Sequence, residues 1–187
     1  MTGKLKVRDR ILQVAADLFY RQGYNQTGIN QIIAEADIAI GSLYNHFPSK
    51  NDLLMAYLEQ EDTTWFEQFE QFSRQAGTPR EKILRFIDFR IEQQQHSGFC
   101  GCPFVKIIAE AGTHDPVLTA FVQSHKDKQR TMLQGYFKQV QCDDAWDRKL
   151  LCETFFLMAE GATITTTITR NMQALENVKK FIKKIIA

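Results

Sequence analysis

Residues 38–47 read IAIGSLYNHF and run directly into PSKNDL at 48–53. Leu43 and Phe47, one turn apart, suit the buried face of a short helix. Gly41 lies inside that helix, although glycine there costs about 1 kcal/mol relative to alanine. Tyr44, Asn45 and His46 stand where a helix built only for packing would carry more leucine. The arrangement describes a helix whose outer face is kept small and hydrogen-bonding for something other than its own core.

The neighbouring segments supply the context. Upstream, Ile29, Ile32, Ile33 and Ala36 recur at helical spacing, with Thr27 as an expected N-cap and a turn at Asp37–Ile38. A helix, a turn of about three residues and a second helix make the spacing of a helix-turn-helix unit. Its second helix enters the DNA major groove, which requires a packed inner face and a small or polar outer face. Further upstream, Ile11, Leu12, Ala15, Leu18 and Phe19 mark a first helix ended by Gly23. Downstream, Pro48 ends the quoted helix, and Ser49 with Asp52 caps a long fourth helix reaching about residue 75.

The rest of the chain continues in helices. In AGTPRE (76–81), Gly77 stops one helix, Thr78 and Glu81 form a capping box, and Pro79 takes the first helical position. Residues 79–96 place Ile83, Phe86, Ile87 and Ile91 on one face, and HSGFCGCP (96–103) interrupts them. Pro103 opens a short helix ending near Gly112, and Asp115–Pro116 opens another to about 140. Asp143 or Asp144 is expected to cap a helix over 145–169, and a last one covers roughly 172–186. The fold class is all-α with about nine helices, divided by function into 1–50 and 51–187.

Composition narrows the function. An apolar fraction of 44% with 24% charged residues describes a globular chain, and its apolar runs are far shorter than a membrane span. No secretory signal is legible, so a cytoplasmic location without a membrane partner is expected. The net charge is +1, yet residues 1–50 hold six Lys/Arg, four of them before residue 11, and 51–70 hold six acids and no base. A basic start suits a polyanion. No phosphate loop, dinucleotide fingerprint, zinc-protease or serine-hydrolase motif occurs, so neither an enzyme nor a cofactor is expected.

TGINQIIAEADIAIGSLYNHFPSKNDL (27–53), preceded by ILQVAADLFYRQGYNQT, resembles the DNA-binding signature of the TetR family of bacterial transcriptional regulators over roughly residues 7–54. The resemblance implies a repressor that binds a palindromic operator as a dimer and is released by a small effector. It implies phosphate contacts from Thr27, Tyr44 and Lys50, with Ala39, Ile40, Asn45 and His46 near base edges and Gly41 and Ser42 at the DNA surface. Two departures stand out: Asp37 replaces the usual turn glycine, and Ala39 replaces the usual hydroxyl cap. Ile40 suits a thymine methyl, so apolar contact and DNA shape should count for more here.

The same resemblance implies a homodimer through the last two helices, where Ala159, Gly161 and Ala162 would allow close approach. It also implies an effector pocket within helices 4–8, lined by Phe66, Phe69, Phe86, Phe89, Phe104, Phe121, Phe155 and Met158. That lining suits a small, largely apolar ligand. The lysines of the last helix read as a solvated face. Cys100 and Cys102 read as inert thiols, with an oxidant- or electrophile-responsive pair beside Lys106, or a metal site with His96 and His114, as alternatives. The rival function is a helical small-molecule-binding protein or enzyme without DNA affinity.

Overall fold

A computed structural model describes residues 6–111, 115–142 and 147–186. These residues form nine helices: α1 (Val7–Arg21), α2 (Ile29–Glu35), α3 (Ile40–His46), α4 (Lys50–Ser73), α5 (Pro79–His96), α6 (Pro103–Ala111), α7 (Pro116–Phe137), α8 (Arg148–Thr169) and α9 (Gln173–Ile185). Packing groups the chain differently from the functional division at residue 50. One compact unit comprises Met1–Thr64 and Pro103–Ala120; the other comprises Trp65–Cys102 and Phe121–Ala187.

The first unit is built on α1, whose Ile11, Leu12, Ala15, Leu18 and Phe19 are buried at the predicted helical period. Ile32 and Ala36, Leu43 and Phe47, and Leu53, Leu54, Tyr57 and Leu58 complete the core. Each leucine, isoleucine or phenylalanine among these contributes about 1.5–3 kcal/mol when fully buried. Phe19 meets Tyr24 and Tyr57 edge-on. The returning segment adds Phe104, Ile107 and Leu118 to the buried set. It is tied to the α1–α2 turn by Asn25, whose backbone N–H donates to Glu110 Oε2 at 3.0 Å and whose Nδ2 donates to the Glu110 carbonyl at 2.8 Å.

The second unit buries a cluster in which Trp65 stacks on Phe69 while Phe86, Phe89, Phe137, Phe155 and Phe156 pack around it. Leu175, Val178 and Ile182 seat α9 in the same cluster. Thr78 and Glu81 form the expected capping box at α5. At α8 the cap is Asp147, which accepts from the N–H groups of Lys149 and Leu150. Asp143 and Asp144, the expected caps, lie outside the described residues, as does Gly112, the expected end of α6.

Candidate nucleic-acid interface and thiol site

The turn between α2 and α3 depends on Asp37, which adopts φ 50°. Aspartate tolerates this left-handed conformation better than most residues, which explains how the chain dispenses with glycine here. Arg10 of α1 fastens the turn by donating from Nη2 to the Asp37 carbonyl at 3.1 Å. Ala39 is the N-cap of α3 and makes no side-chain cap bond, as its methyl group requires.

α3 then separates its two faces cleanly. Leu43 and Phe47 are buried. Ala39, Gly41, Asn45 and His46 are exposed and Ser42 is half-buried. Ile40 is 56% exposed and Tyr44 45% exposed, both high for large apolar-bodied residues. A Cβ added to Gly41 would meet nothing within 4 Å. The fold itself therefore places no demand for glycine at that position.

Two expected contact residues are engaged elsewhere. Thr27 does not cap α2: the N-cap is Gly28, without a side-chain cap bond. Its side chain is 1% exposed, its hydroxyl donates to the Gly23 carbonyl at 2.7 Å, and it accepts from Gln22 Nε2 at 3.2 Å. It secures the α1–α2 turn from inside. Lys50 Nζ donates to the Tyr24 carbonyl at 2.6 Å and lies 4.1 Å from the Tyr24 ring centre. Burial lowers its pKa, partly offset by the nearby Glu110 carboxylate.

The proposed effector lining divides. Phe69, Phe86, Phe89 and Phe155 are buried, with Phe66 and Met158 half-buried against them. Phe121 is half-buried in the same unit, whereas Phe104 belongs to the core of the first unit. Most of these rings fill the core against one another. A half-open cleft of about 490 Å³ is lined by Phe66 and Phe69 together with Glu70, Arg74, Lys82 and Tyr136 among others.

A polar network crosses the second unit. Arg90 donates to Glu160 Oε1 at 2.6 Å, Gln129 Oε1 at 3.1 Å and Thr163 Oγ1 at 3.2 Å. Lys126 Nζ is 2.7 Å from Glu160 Oε2 and donates to Cys102 Sγ at 3.5 Å. Burial alone would raise the Glu160 pKa, but Arg90 and Lys126 outweigh it and hold the carboxyl at about 2. Lys106, the expected cationic neighbour of the thiols, instead donates to the Tyr20 carbonyl at 2.5 Å. Lys126 was invisible as a partner in sequence because 24 residues separate it from Cys102. Cys152, by contrast, is buried, and its thiol is pushed up to about 12 by burial and by Glu153.

Among the described residues, no group of three or more His, Cys, Asp or Glu is placed to hold a metal ion. His114 lies outside them, and His96 sits 3.9 Å from Glu92 on its own helix. No described helix is long and apolar enough to cross a membrane.

α8 carries a second outward feature. Ala159 and Ala162, expected at a helix–helix seam, are buried in this chain's own core. The outward stripe is instead Leu157 (62% exposed), Gly161, Ile164 and Ile168 (76% exposed), continued toward the helix start by Leu150. On α9, Lys180, Lys183 and Lys184 are exposed, while Lys179 pairs with Asp88 at 2.5 Å.

Comparison with known proteins agrees with this geometry. The profile of bacterial regulatory proteins of the tetR family matches residues 11–57. The regulator QacR of Staphylococcus aureus is 30% identical over 92 residues, a match spanning 49% of each chain. The repressor NemR of Escherichia coli K12 is 25% identical over 193 residues, covering 96% of this chain and 94% of its own. The crystal structure of reduced E. coli NemR superposes with a TM-score of 0.83 at 21% identity, covering 97% of this chain and 98% of that one. A TetR regulator from Legionella pneumophila superposes with the same score and 21% identity over the full length of both chains. Proteins of this family bind operator DNA, form dimers and respond to small molecules. The helix-turn-helix geometry, the profile match over residues 11–57 and these relatives together support the TetR family of DNA-binding transcriptional regulators, rather than an enzyme, for this chain.

Proposed function

We propose that this regulator is a repressor that holds a palindromic operator as a dimer and releases it when an effector occupies the second unit. The carrying observation is α3: Ile40, Tyr44, Asn45 and His46 face solvent beside a glycine that the protein's own packing does not require. Close approach of backbone to DNA accounts for that glycine. Tyr44 donates its hydroxyl to a phosphate, Asn45 and His46 reach base edges, and Ile40 meets a thymine methyl. Ser42 and Ala39 line the approach. Lys50 contacts phosphate only by leaving the Tyr24 carbonyl, so it adds less than an unengaged lysine would.

Two recognition helices must sit about one DNA turn apart, which requires a dimer. The stripe Leu150, Leu157, Ile164 and Ile168 supports α8 as the seam, with α9 beside it through Phe181. The smooth surface at Gly161 allows a partner helix to approach closely. Phe66 and Phe69, among the residues lining the half-open cleft, support an effector with an apolar body. The name of NemR as a repressor supports the polarity.

Genomic fragments captured by the purified protein, then re-tested by mobility shift at two salt concentrations, examine this reading. Specific retardation that weakens steeply with salt is expected. Salt-insensitive behaviour with no specific retention would instead favour a helical small-molecule binder without DNA affinity.

A further inference from the structure

Where α7 ends and α8 begins, the second unit holds another half-open cleft, of about 520 Å³, lined by Gln134, Phe137, Lys138, Arg148, Lys149 and Cys152. It shares no lining residue with the cleft at Phe66. Its size falls within the range of about 300–1,000 Å³ typical of small-molecule sites. Phe137 and Cys152, each 1% exposed, bring the protein's core to the cleft, whereas Lys138, Arg148 and Lys149 are exposed.

The lining carries three cations and no acid. The acids closest along α8 are committed elsewhere. Asp147 accepts from the N–H groups of Lys149 at 2.7 Å and Leu150 at 3.1 Å, so the side chains, not the helix end, give the cleft its charge. Glu153 lies 3.4 Å from Arg130 Nε and accepts from Gln134 Nε2 at 3.2 Å. The Cys152 thiol stays neutral, pushed up to about 12 by burial and by Glu153. Among the described residues, Lys138, Arg148 and Lys149 make no ion pair. A cleft lined by one sign of charge over low-dielectric walls concentrates ions of the opposite sign.

We propose that this cleft binds a small amphipathic organic anion, its carboxylate held by Arg148 with Lys138 and Lys149 and its apolar body directed to Phe137 and Cys152. The planar guanidinium fork of an arginine matches a carboxylate in geometry as well as charge. Bound there, the anion ties the end of α7 to the start of α8. The cleft lies on the other side of α8 from the exposed stripe, because Leu150 is two residues from both Arg148 and Cys152, roughly 200° around the helix. This inference goes beyond the repressor reading and does not depend on it.

Isothermal titration calorimetry of the full-length protein tests it with 2-naphthoate, the neutral 2-naphthamide and inorganic phosphate. The naphthoate should bind, with the amide and the phosphate each about tenfold weaker or more, since one lacks the charge and the other the apolar body. Lys138→Gln combined with Arg148→Gln should weaken naphthoate binding about tenfold or more, the scale of lost hydrogen bonds to a charged group. Both side chains are exposed, so circular dichroism should show the helices intact. Arg74→Gln combined with Lys82→Gln, in the cleft at Phe66, should leave this binding unchanged. Naphthoate binding that survives the first pair and is lost in the second belongs to the cleft at Phe66 and overturns the proposal. Equal affinity for the amide would remove the anion site, and equal affinity for phosphate would remove the apolar body from recognition. Absence of naphthoate binding would refute the site outright.

Discussion

Arg90 on α5 and Glu160 on α8 meet at 2.6 Å, with the arginine side chain 6% and the glutamate 20% exposed. Lys126 on α7 takes the other carboxylate oxygen at 2.7 Å. Three helices of the second unit are thus joined through a single carboxylate facing two cations. Such an ion cluster costs desolvation and contributes specificity of packing more than net stability. Its strength lies in the penalty for breaking it.

Glu160→Gln should destabilise the protein by about 3–5 kcal/mol, because it leaves two buried cations without their counter-charge. The Glu160 pKa is held at about 2, below its ordinary 4.5. Its contribution is therefore complete above the ordinary value and is lost as pH falls from there toward about 2. Urea unfolding of the wild type across that range should show declining stability, and the variant should lack this component of the slope.

Gly41→Ala should raise thermal stability slightly, by up to about 1 kcal/mol, since the added Cβ meets nothing and helix propensity improves. The same change should weaken binding to captured DNA. Tyr44→Phe should leave the melting temperature unchanged and weaken binding by about 1 kcal/mol, the worth of one hydrogen bond. Paired melting curves and mobility shifts separate the two quantities. A parallel loss of stability in Gly41→Ala would return the glycine to an internal role.

Leu157→Glu combined with Ile168→Glu should convert the dimer to a folded monomer. Both side chains are exposed in the single chain, so charge there costs the monomer little. Light scattering during size-exclusion chromatography reads the mass, and circular dichroism checks the helices. An unchanged dimer mass would remove α8 from the seam.

Gly23→Ala should destabilise by about 1–3 kcal/mol, the scale of a non-glycine residue forced into a left-handed conformation. Gly23 adopts φ 98°, and a Cβ there would lie 2.5 Å from a Glu110 carboxylate oxygen. Thr27→Val should also destabilise, by about 1–3 kcal/mol, by leaving the Gly23 carbonyl without its hydroxyl donor. Denaturant midpoints measure both. An effect of Thr27→Val on DNA affinity alone, with no stability change, would restore the direct phosphate role.

Helices and caps were legible in the residues because they follow from local chemistry. The Thr78–Glu81 box and the pairing of Ser49 with Asp52 are three-residue relationships, and both formed. The inner and outer faces of α3 were legible for the same reason: one turn of helix fixes which of Leu43, Tyr44 and Phe47 point together. The expected cap of α2 failed because Thr27 had a competing acceptor, the Gly23 carbonyl, four residues behind it.

Residue order alone determined an all-helical chain with a helix-turn-helix near its start, because helical period, caps and turn residues act over a few positions. Tertiary structure alone decided that Lys126, rather than Lys106, stands at the Cys102 sulfur. It also decided that Ala159 and Ala162 turn inward while Leu157 and Ile168 turn out, and that Lys50 is held by Tyr24. Each of these depends on which distant helix packs against which face. Several partners of similar chemistry compete along the chain, and only burial and distance in the folded protein choose among them.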